Sequence, residues 1–72
     1  MVVLVAMEIT VNGVTTEVPE GLSVRGLVEH LGYTEGPVAV EVNRAIVPRA
    51  THAQHPLHAG DLVEVVHFVG GG

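Results

Sequence analysis

The chain has no cysteine, no lysine and no tryptophan, and only one tyrosine and one phenylalanine, Tyr33 and Phe68. Without cysteine it can form no disulfide, no thiolate zinc site and no persulfide on a side chain of its own. That composition suits the cytoplasm. Without lysine, its only fixed cations are Arg25, Arg44 and Arg49, and the formal net charge is −5. A nucleic-acid reader needs a basic face and, for single strands, aromatic platforms; both are missing. No glycine-rich stretch precedes a helix with lysine, so no phosphate loop is present. Long apolar runs are also lacking. Met1 to Met7 is apolar but has no charged leader and is far short of a membrane span.

What is present is aliphatic. Hydrophobic residues make up 47% of 72 positions, which argues against disorder. The length allows one domain, and a chain this short buries only about 60% of its unfolded surface. With two aromatics, the core has to be valine, leucine and isoleucine. The abundance of valine favours strands. The acidic balance suits a protein that docks on basic partner surfaces.

Met7-Glu8-Ile9-Thr10-Val11 alternates apolar and polar residues, the period of a half-buried strand. Asn12-Gly13 is a hairpin signal, because both residues tolerate positive φ, and Val14 to Val18 returns as the second strand. Pro19-Glu20-Gly21 ends it. Ser23 is a helix N-cap candidate, with Leu22 and Leu27 at the spacing of a hydrophobic staple. Val24, Leu27, Val28 and Leu31 share one helical face, and Gly32 suits the left-handed cap. Gly26 counts against the helix by about 1 kcal/mol. Pro37 opens a third strand, Val38 to Val42, with Val38, Val40 and Val42 on one face and Ala39 and Glu41 on the other. Asn43-Arg44 turns into the short segment Ala45-Ile46-Val47, closed by Pro48. Residues 49–59 read as an irregular loop or a one-turn helix. Gly60-Asp61 is a turn before the last strand, Leu62 to Phe68, with Val63 and Val65 opposite Glu64 and Val66.

Five strand segments and one helix predict an α+β domain in which the helix covers one face of a mixed four- to five-stranded sheet. A right-handed crossover places the helix there, and the last strand then lies parallel to the first in mid-sheet. This is the β-grasp, or ubiquitin-like, arrangement. The expected organisation is residues 1–6 as an N-terminal extension of the first strand, or a leader to a domain that starts at Met7, then residues 7–69 as the domain and 70–72 as a glycine tail.

The tail, Val69-Gly70-Gly71-Gly72, carries the main functional signal. Glycine has no Cβ, so this segment can pass between close walls. Extended, it reaches roughly 10–14 Å, enough to span the mouth of another protein's active site. A terminal carboxylate is ionised at neutral pH and is a poor electrophile. Replacing one of its oxygens by a leaving group such as AMP makes it reactive, and a sulfur donor can then convert it to a thiocarboxylate. A frayed chain end would have the same glycines. Against that reading, they follow a strand directly, nothing charged dilutes them and the sequence stops there.

Four stretches carry a resemblance: Ile9-Thr10-Val11-Asn12-Gly13; Val40-Glu41-Val42-Asn43 leading to Ile46-Val47-Pro48-Arg49; Gly60-Asp61; and Val69-Gly70-Gly71-Gly72. From Met7 to Gly72 the chain resembles the ThiS family, the sulfur carriers of thiamin biosynthesis. The glycine end alone is shared with the molybdopterin-synthase small subunit and with ubiquitin. The resemblance implies a carrier rather than an enzyme, with no cofactor of its own. A ThiF-type, E1-like adenylyltransferase would activate Gly72 with ATP. A cysteine desulfurase or other donor would supply sulfur, and a ThiG-type thiazole synthase would receive it. Val69, Gly70 and Gly71 would thread the partners' channels. The sheet face away from the helix is the family's usual docking surface, which by alternation places Ala39, Glu41, Glu64, Val66 and Phe68 on it. The rival readings are a molybdopterin-type sulfur carrier and a ubiquitin-like modifier or binding module.

The remaining candidates are weaker. His52, His55 and His58 recur every third residue, which would align them only on a tight helix; a solvated loop is the expectation. His30 and His67 have no serine or cysteine set up beside them and are expected at the surface or rim. Asp61 and Glu64 read as turn and strand residues rather than a catalytic pair. Arg44 and Arg49 read as exposed turn cations.

Overall fold

Asn12 and Gly13 adopt φ of 49° and 80°, the doubly positive turn that matches the twist of a two-residue hairpin. The strands they join are β1 (Ala6–Val11) and β2 (Val14–Pro19), antiparallel and in register from Ala6 opposite Pro19 to Val11 opposite Val14. This computed structural model describes residues 5–33 and 36–68. Expectations for residues 1–4 and for Val69, Gly70, Gly71 and Gly72 lie outside the described residues. β1 starts one residue earlier than its alternation indicates, and the Val5 carbonyl accepts a hydrogen bond from the Glu20 amide at 2.8 Å.

Helix α1 (Val24–His30) begins where the Ser23 hydroxyl accepts from the Gly26 amide at 3.0 Å. It ends with Gly32 at φ 86°, the Gly32 amide on the Glu29 carbonyl (2.9 Å) and the Tyr33 amide on the Val28 carbonyl (3.1 Å). That pair of bonds is the Schellman ending. Gly26 has a packing reason to be glycine. A Cβ placed there would stand 2.6 Å from Leu22 Cδ1 and 3.2 Å from Leu22 Cγ. Leu22, just before the cap, lies across the first turn and packs against the core.

β3 (Val38–Val42), β4 (Ala45–Val47) and β5 (Leu62–His67) complete one five-stranded sheet in the order β2-β1-β5-β3-β4. β5 runs parallel to β1 and antiparallel to β3. This is the β-grasp arrangement the element order leads one to expect. The buried side chains are aliphatic: Ile9, Val18, Val24, Leu27, Val40, Leu57 and Val63 are the most enclosed. Leu22, Val28, Leu31, Tyr33 and Val38 pack partly buried around them.

The segment between β4 and β5 is more ordered than its polar sequence indicates. Residues Arg49–Gln54 form a 3₁₀ helix, and Thr51 closes its first turn by donating to the Pro48 carbonyl from both its amide and its hydroxyl, each at 2.9 Å. The chain then runs antiparallel to the entry of α1. The Val24 amide donates to the His55 carbonyl at 2.9 Å, and the Leu57 amide to the Leu22 carbonyl at 2.8 Å. This pairing drives Leu57 into the core. The solvated-loop expectation for His52 is wrong: it is buried, with Nε2 3.0 Å from the Val47 carbonyl oxygen. The 3₁₀ turn that follows Pro48 rotates His52 inward, while His58 stays exposed.

Candidate functional site

The tail expected to carry function is delivered by β5, and the fold grips that strand from both sides. β1 contributes main-chain bonds at its end, including Asn12 N–H to the Val63 carbonyl at 2.9 Å. There the ladder continues through a side chain: Asn12 Oδ1 accepts from the Val65 amide (2.8 Å) and Asn12 Nδ2 donates to the Val65 carbonyl (3.1 Å). The chain has turned away into the hairpin, yet the carboxamide supplies the donor and acceptor that the next strand residue would have offered. On the β3 side, the Asn43 amide donates to the Leu62 carbonyl at 2.7 Å, and Asn43 Oδ1 accepts from the Leu62 amide at 2.9 Å. Asn43 Nδ2 reaches Asp61 Oδ1 at 3.0 Å, and Asp61 Oδ2 accepts from the His58 amide at 2.8 Å. Asp61 is therefore a turn residue, and Glu64 faces elsewhere, so the two do not form a catalytic pair.

At its far end β5 is tied to the loop after α1. The His67 ring stacks on Tyr33 with centroids 4.8 Å apart and planes inclined by 22°. The Phe68 amide donates to the Pro37 carbonyl at 3.0 Å. Gly36, at φ 82°, makes this approach possible: a Cβ would stand 3.3 Å from His67 Nε2 and 3.4 Å from the Phe68 oxygen. His67 is half-buried in this stack and His30 is exposed.

The alternation assigned from sequence holds. Ala39, Glu41, Glu64, Val66 and Phe68 are all exposed on the sheet face away from α1, while Val40, Val42, Val63 and Val65 are buried on the other. Ala39 stands directly opposite Val66, and Glu41 opposite Glu64. Two members of this face escape sequence reading, Ile46 (78% exposed) and Leu62 (53%). Leu62 is two residues before Glu64, and Ile46 lies opposite Glu41 in the β3–β4 hairpin. Period two and the hairpin register were the signals for them. Ile46, Leu62, Val66 and Phe68 are exposed apolar residues on this face, set around Glu41 and Glu64, with Val66 and Phe68 at the end of β5 that leads to the tail.

No other feature competes. Among the described residues, no group of three or more His, Asp or Glu is placed to hold a metal ion. Among the described residues, no helix is long and apolar enough to cross a membrane. A cleft of about 550 Å³ between α1 and the 3₁₀ helix is lined by Arg25, Tyr33, Arg49 and Gln54, among others. Arg25 there is engaged with Glu29, Nε to Oε1 at 3.1 Å, and both side chains are largely in solvent. Arg44 sits in the β3–β4 turn at φ 70°.

The comparisons with known proteins agree with this geometry. The family model described as "ThiS family" matches residues 2–72. The thiazole synthase of Magnetococcus marinus is 42% identical over 66 residues, which are 92% of this chain but 20% of that protein. The thiazole synthase of Paramagnetospirillum magneticum is 38% identical with the same coverage, so the chain spans a fifth (20%) of the length of these two relatives. The sulfur carrier protein ThiS of Escherichia coli is 32% identical over 92% of this chain and 100% of its own. The crystal structure of the thiamine biosynthesis protein ThiS from Geobacter metallireducens superposes with a TM-score of 0.77 at 35% identity, covering 92% of this chain and 100% of that one. With a family model that matches residues 2–72, a relative matched over its full length and a matching β-grasp structure, the chain belongs to the ThiS family.

Proposed function

We propose that the chain carries sulfur as a thiocarboxylate on Gly72 and delivers it for thiazole formation in thiamine biosynthesis. The observation that carries this reading is β5. The central strand is hydrogen-bonded on both sides as far as Val65 and on the β3 side as far as Phe68, and it presents Leu62, Val66 and Phe68 on its exposed face. Such an element serves as a rigid handle for a reactive end that works inside other proteins. Membership of the ThiS family supports assigning the chemistry to partners.

The steps balance as follows. An E1-like, ThiF-type enzyme binds ATP, and the Gly72 carboxylate attacks the α-phosphate, releasing pyrophosphate and forming an acyl adenylate. A hydrosulfide displaces AMP to give the thiocarboxylate directly. If the donor is a persulfide, as from a cysteine desulfurase, its outer sulfur joins the acyl carbon as AMP leaves. A thiol then cleaves the S–S bond and is oxidised to a disulfide. Val69, Gly70 and Gly71 thread the channel of each partner. Ala39, Glu41, Glu64, Val66 and Phe68, with Ile46 and Leu62, form the docking face. The receiving partner is a ThiG-type thiazole synthase. In two thiazole synthases the ThiS-like segment is a fifth (20%) of the chain, which supports a direct hand-over between the two activities. The pathway and the absence of cysteine both point to the cytoplasm.

The test is a truncation. Removing Gly72 should abolish ATP-dependent charging by the E1-like enzyme while the unfolding transition stays where it is. Charging that survives the deletion would refute the assignment.

A further inference from the structure

β5 is held differently along its length. As far as Val65 it has β3 on one side and, on the other, β1 and the Asn12 carboxamide. Past that point it runs on against β3, where Val38 stands opposite His67. The next rung, Pro37 beside Phe68, is only half a rung. The Phe68 amide donates to the Pro37 carbonyl at 3.0 Å, and proline has no N–H with which to return a bond. His67 and Phe68 therefore sit where the ladder thins, and Val69 follows them directly.

The loop after α1 makes up for this. Tyr33 stacks on the His67 ring with 4.8 Å between centroids and 22° between planes. Aromatic pairs at this separation stabilise beyond the area they bury. Tyr33 is itself packed against the core, so the ring it offers is fixed in place. Gly36, at φ 82°, leaves room for the partner ring, since a Cβ there would stand 3.3 Å from His67 Nε2. By the alternation of the strand, His67 is on the α1 side of the sheet, whereas Val66 and Phe68 are on the exposed face. The stack thus holds the strand end from behind and leaves the docking face clear.

We propose that Tyr33 is a positioning residue for sulfur charging: acting through His67 it fixes Phe68, and the reach of residues 69–72 is measured from that point. This rests on the functional reading above. A carboxylate that must meet an α-phosphate inside another protein loses rate steeply when its anchor is misplaced by about 1 Å. Were the end of β5 to loosen back to Val65, where Asn12 grips, the segment beyond the last anchor would grow from residues 69–72 to residues 66–72. The partner would then have to order more chain each time it docks.

Wild type, Y33F, Y33L and H67A test this. Each is measured for amide hydrogen exchange at Phe68 and Val65, and for the kinetics of ATP-dependent charging by the E1-like enzyme at varied carrier concentration. Y33F is the conservative variant: it keeps the ring, and with it wild-type exchange and kinetics. Y33L keeps apolar packing and loses the stack. Its Phe68 amide should exchange about tenfold faster while Val65 is unchanged, and its kcat should fall about tenfold with KM within about twofold of wild type. H67A removes the stack from the strand side and should give the same pattern, so the test stands even if Y33L does not fold. Unchanged kcat in Y33L and H67A would overturn the proposal. A rise in KM alone would also overturn it, by making Tyr33 a docking contact. So would equal acceleration at Val65, which would make the loss one of global stability. A defect in Y33F as large as that in Y33L would overturn it too, by placing the effect in the hydroxyl. Failure of the E1-like enzyme to charge wild type would instead refute the functional reading, and this inference with it.

Discussion

Asn12 and Asn43 hold the same strand from opposite sides, each from a left-handed backbone position, at φ 49° and 50°. Asn12 replaces a missing strand residue beside Val65 with its carboxamide, whereas Asn43 meets Leu62 with its side-chain oxygen and its own main-chain amide. Asparagine is suited to both requirements: it tolerates positive φ and has a donor and an acceptor on one planar group. Asn12→Gly keeps the turn and removes the carboxamide. It should cost about 1–3 kcal/mol in urea unfolding, because the Val65 main-chain groups are left unpaired. Asn12→Ala should cost about 1 kcal/mol more, from the strained φ. Equal stability of Asn12→Gly and wild type would show that the carboxamide bonds contribute nothing.

Gly26 reverses the usual rule for helices. Alanine in place of glycine inside a helix normally gains about 1 kcal/mol. Here the added methyl meets Leu22 at 2.6 Å, so Gly26→Ala should destabilise the chain by up to about 1 kcal/mol, from displacing a packed leucine. In a Leu22→Ala background the same change should be stabilising. A thermodynamic cycle over the four proteins reads this change of sign; a gain in both backgrounds would show that Leu22 yields freely.

His52 behaves as a core residue. It is buried against the Val47 carbonyl, whereas His58 has its ring in solvent. His52→Ala should lose about 2 kcal/mol through the orphaned carbonyl and the cavity. His58→Ala should stay within about 0.5 kcal/mol of wild type. Equal effects in denaturant titrations would contradict this placement.

The apolar face should matter for partners and little for folding. Ile46→Ser and Val66→Ser each replace an exposed side chain and should change stability by less than about 1 kcal/mol. Each should slow ATP-dependent charging by about tenfold at limiting carrier concentration. Undiminished charging in both would remove this face from the docking surface.

The strands and the helix were legible because their periodicity and end signals agree. Asn12-Gly13 gives the first hairpin, Ser23 and Gly32 the helix ends, and the valine alternation of residues 38–42 and 62–66 the two faces. The segment 49–59 was legible only in part: a one-turn helix was one of its two readings, and residues Arg49–Gln54 form a 3₁₀ helix. Its polar sequence hides that Leu57 returns to the core by pairing with the entry of α1. Those bonds join main-chain groups more than 30 residues apart, and no local pattern encodes them. The candidate face was mostly legible from period two. Ile46 was missed because a three-residue strand is too short to show alternation, and its place depends on the register with β3.

The most direct measurement is the intact mass of the chain after incubation with ATP, the E1-like enzyme and a sulfur source, with fragmentation to place the change. A carrier charged at its C-terminus gains mass equal to one oxygen-to-sulfur exchange, confined to Gly72 and absent when ATP is omitted. An unmodified Gly72, or an amide bond from it to another protein's lysine in place of the sulfur, would contradict it.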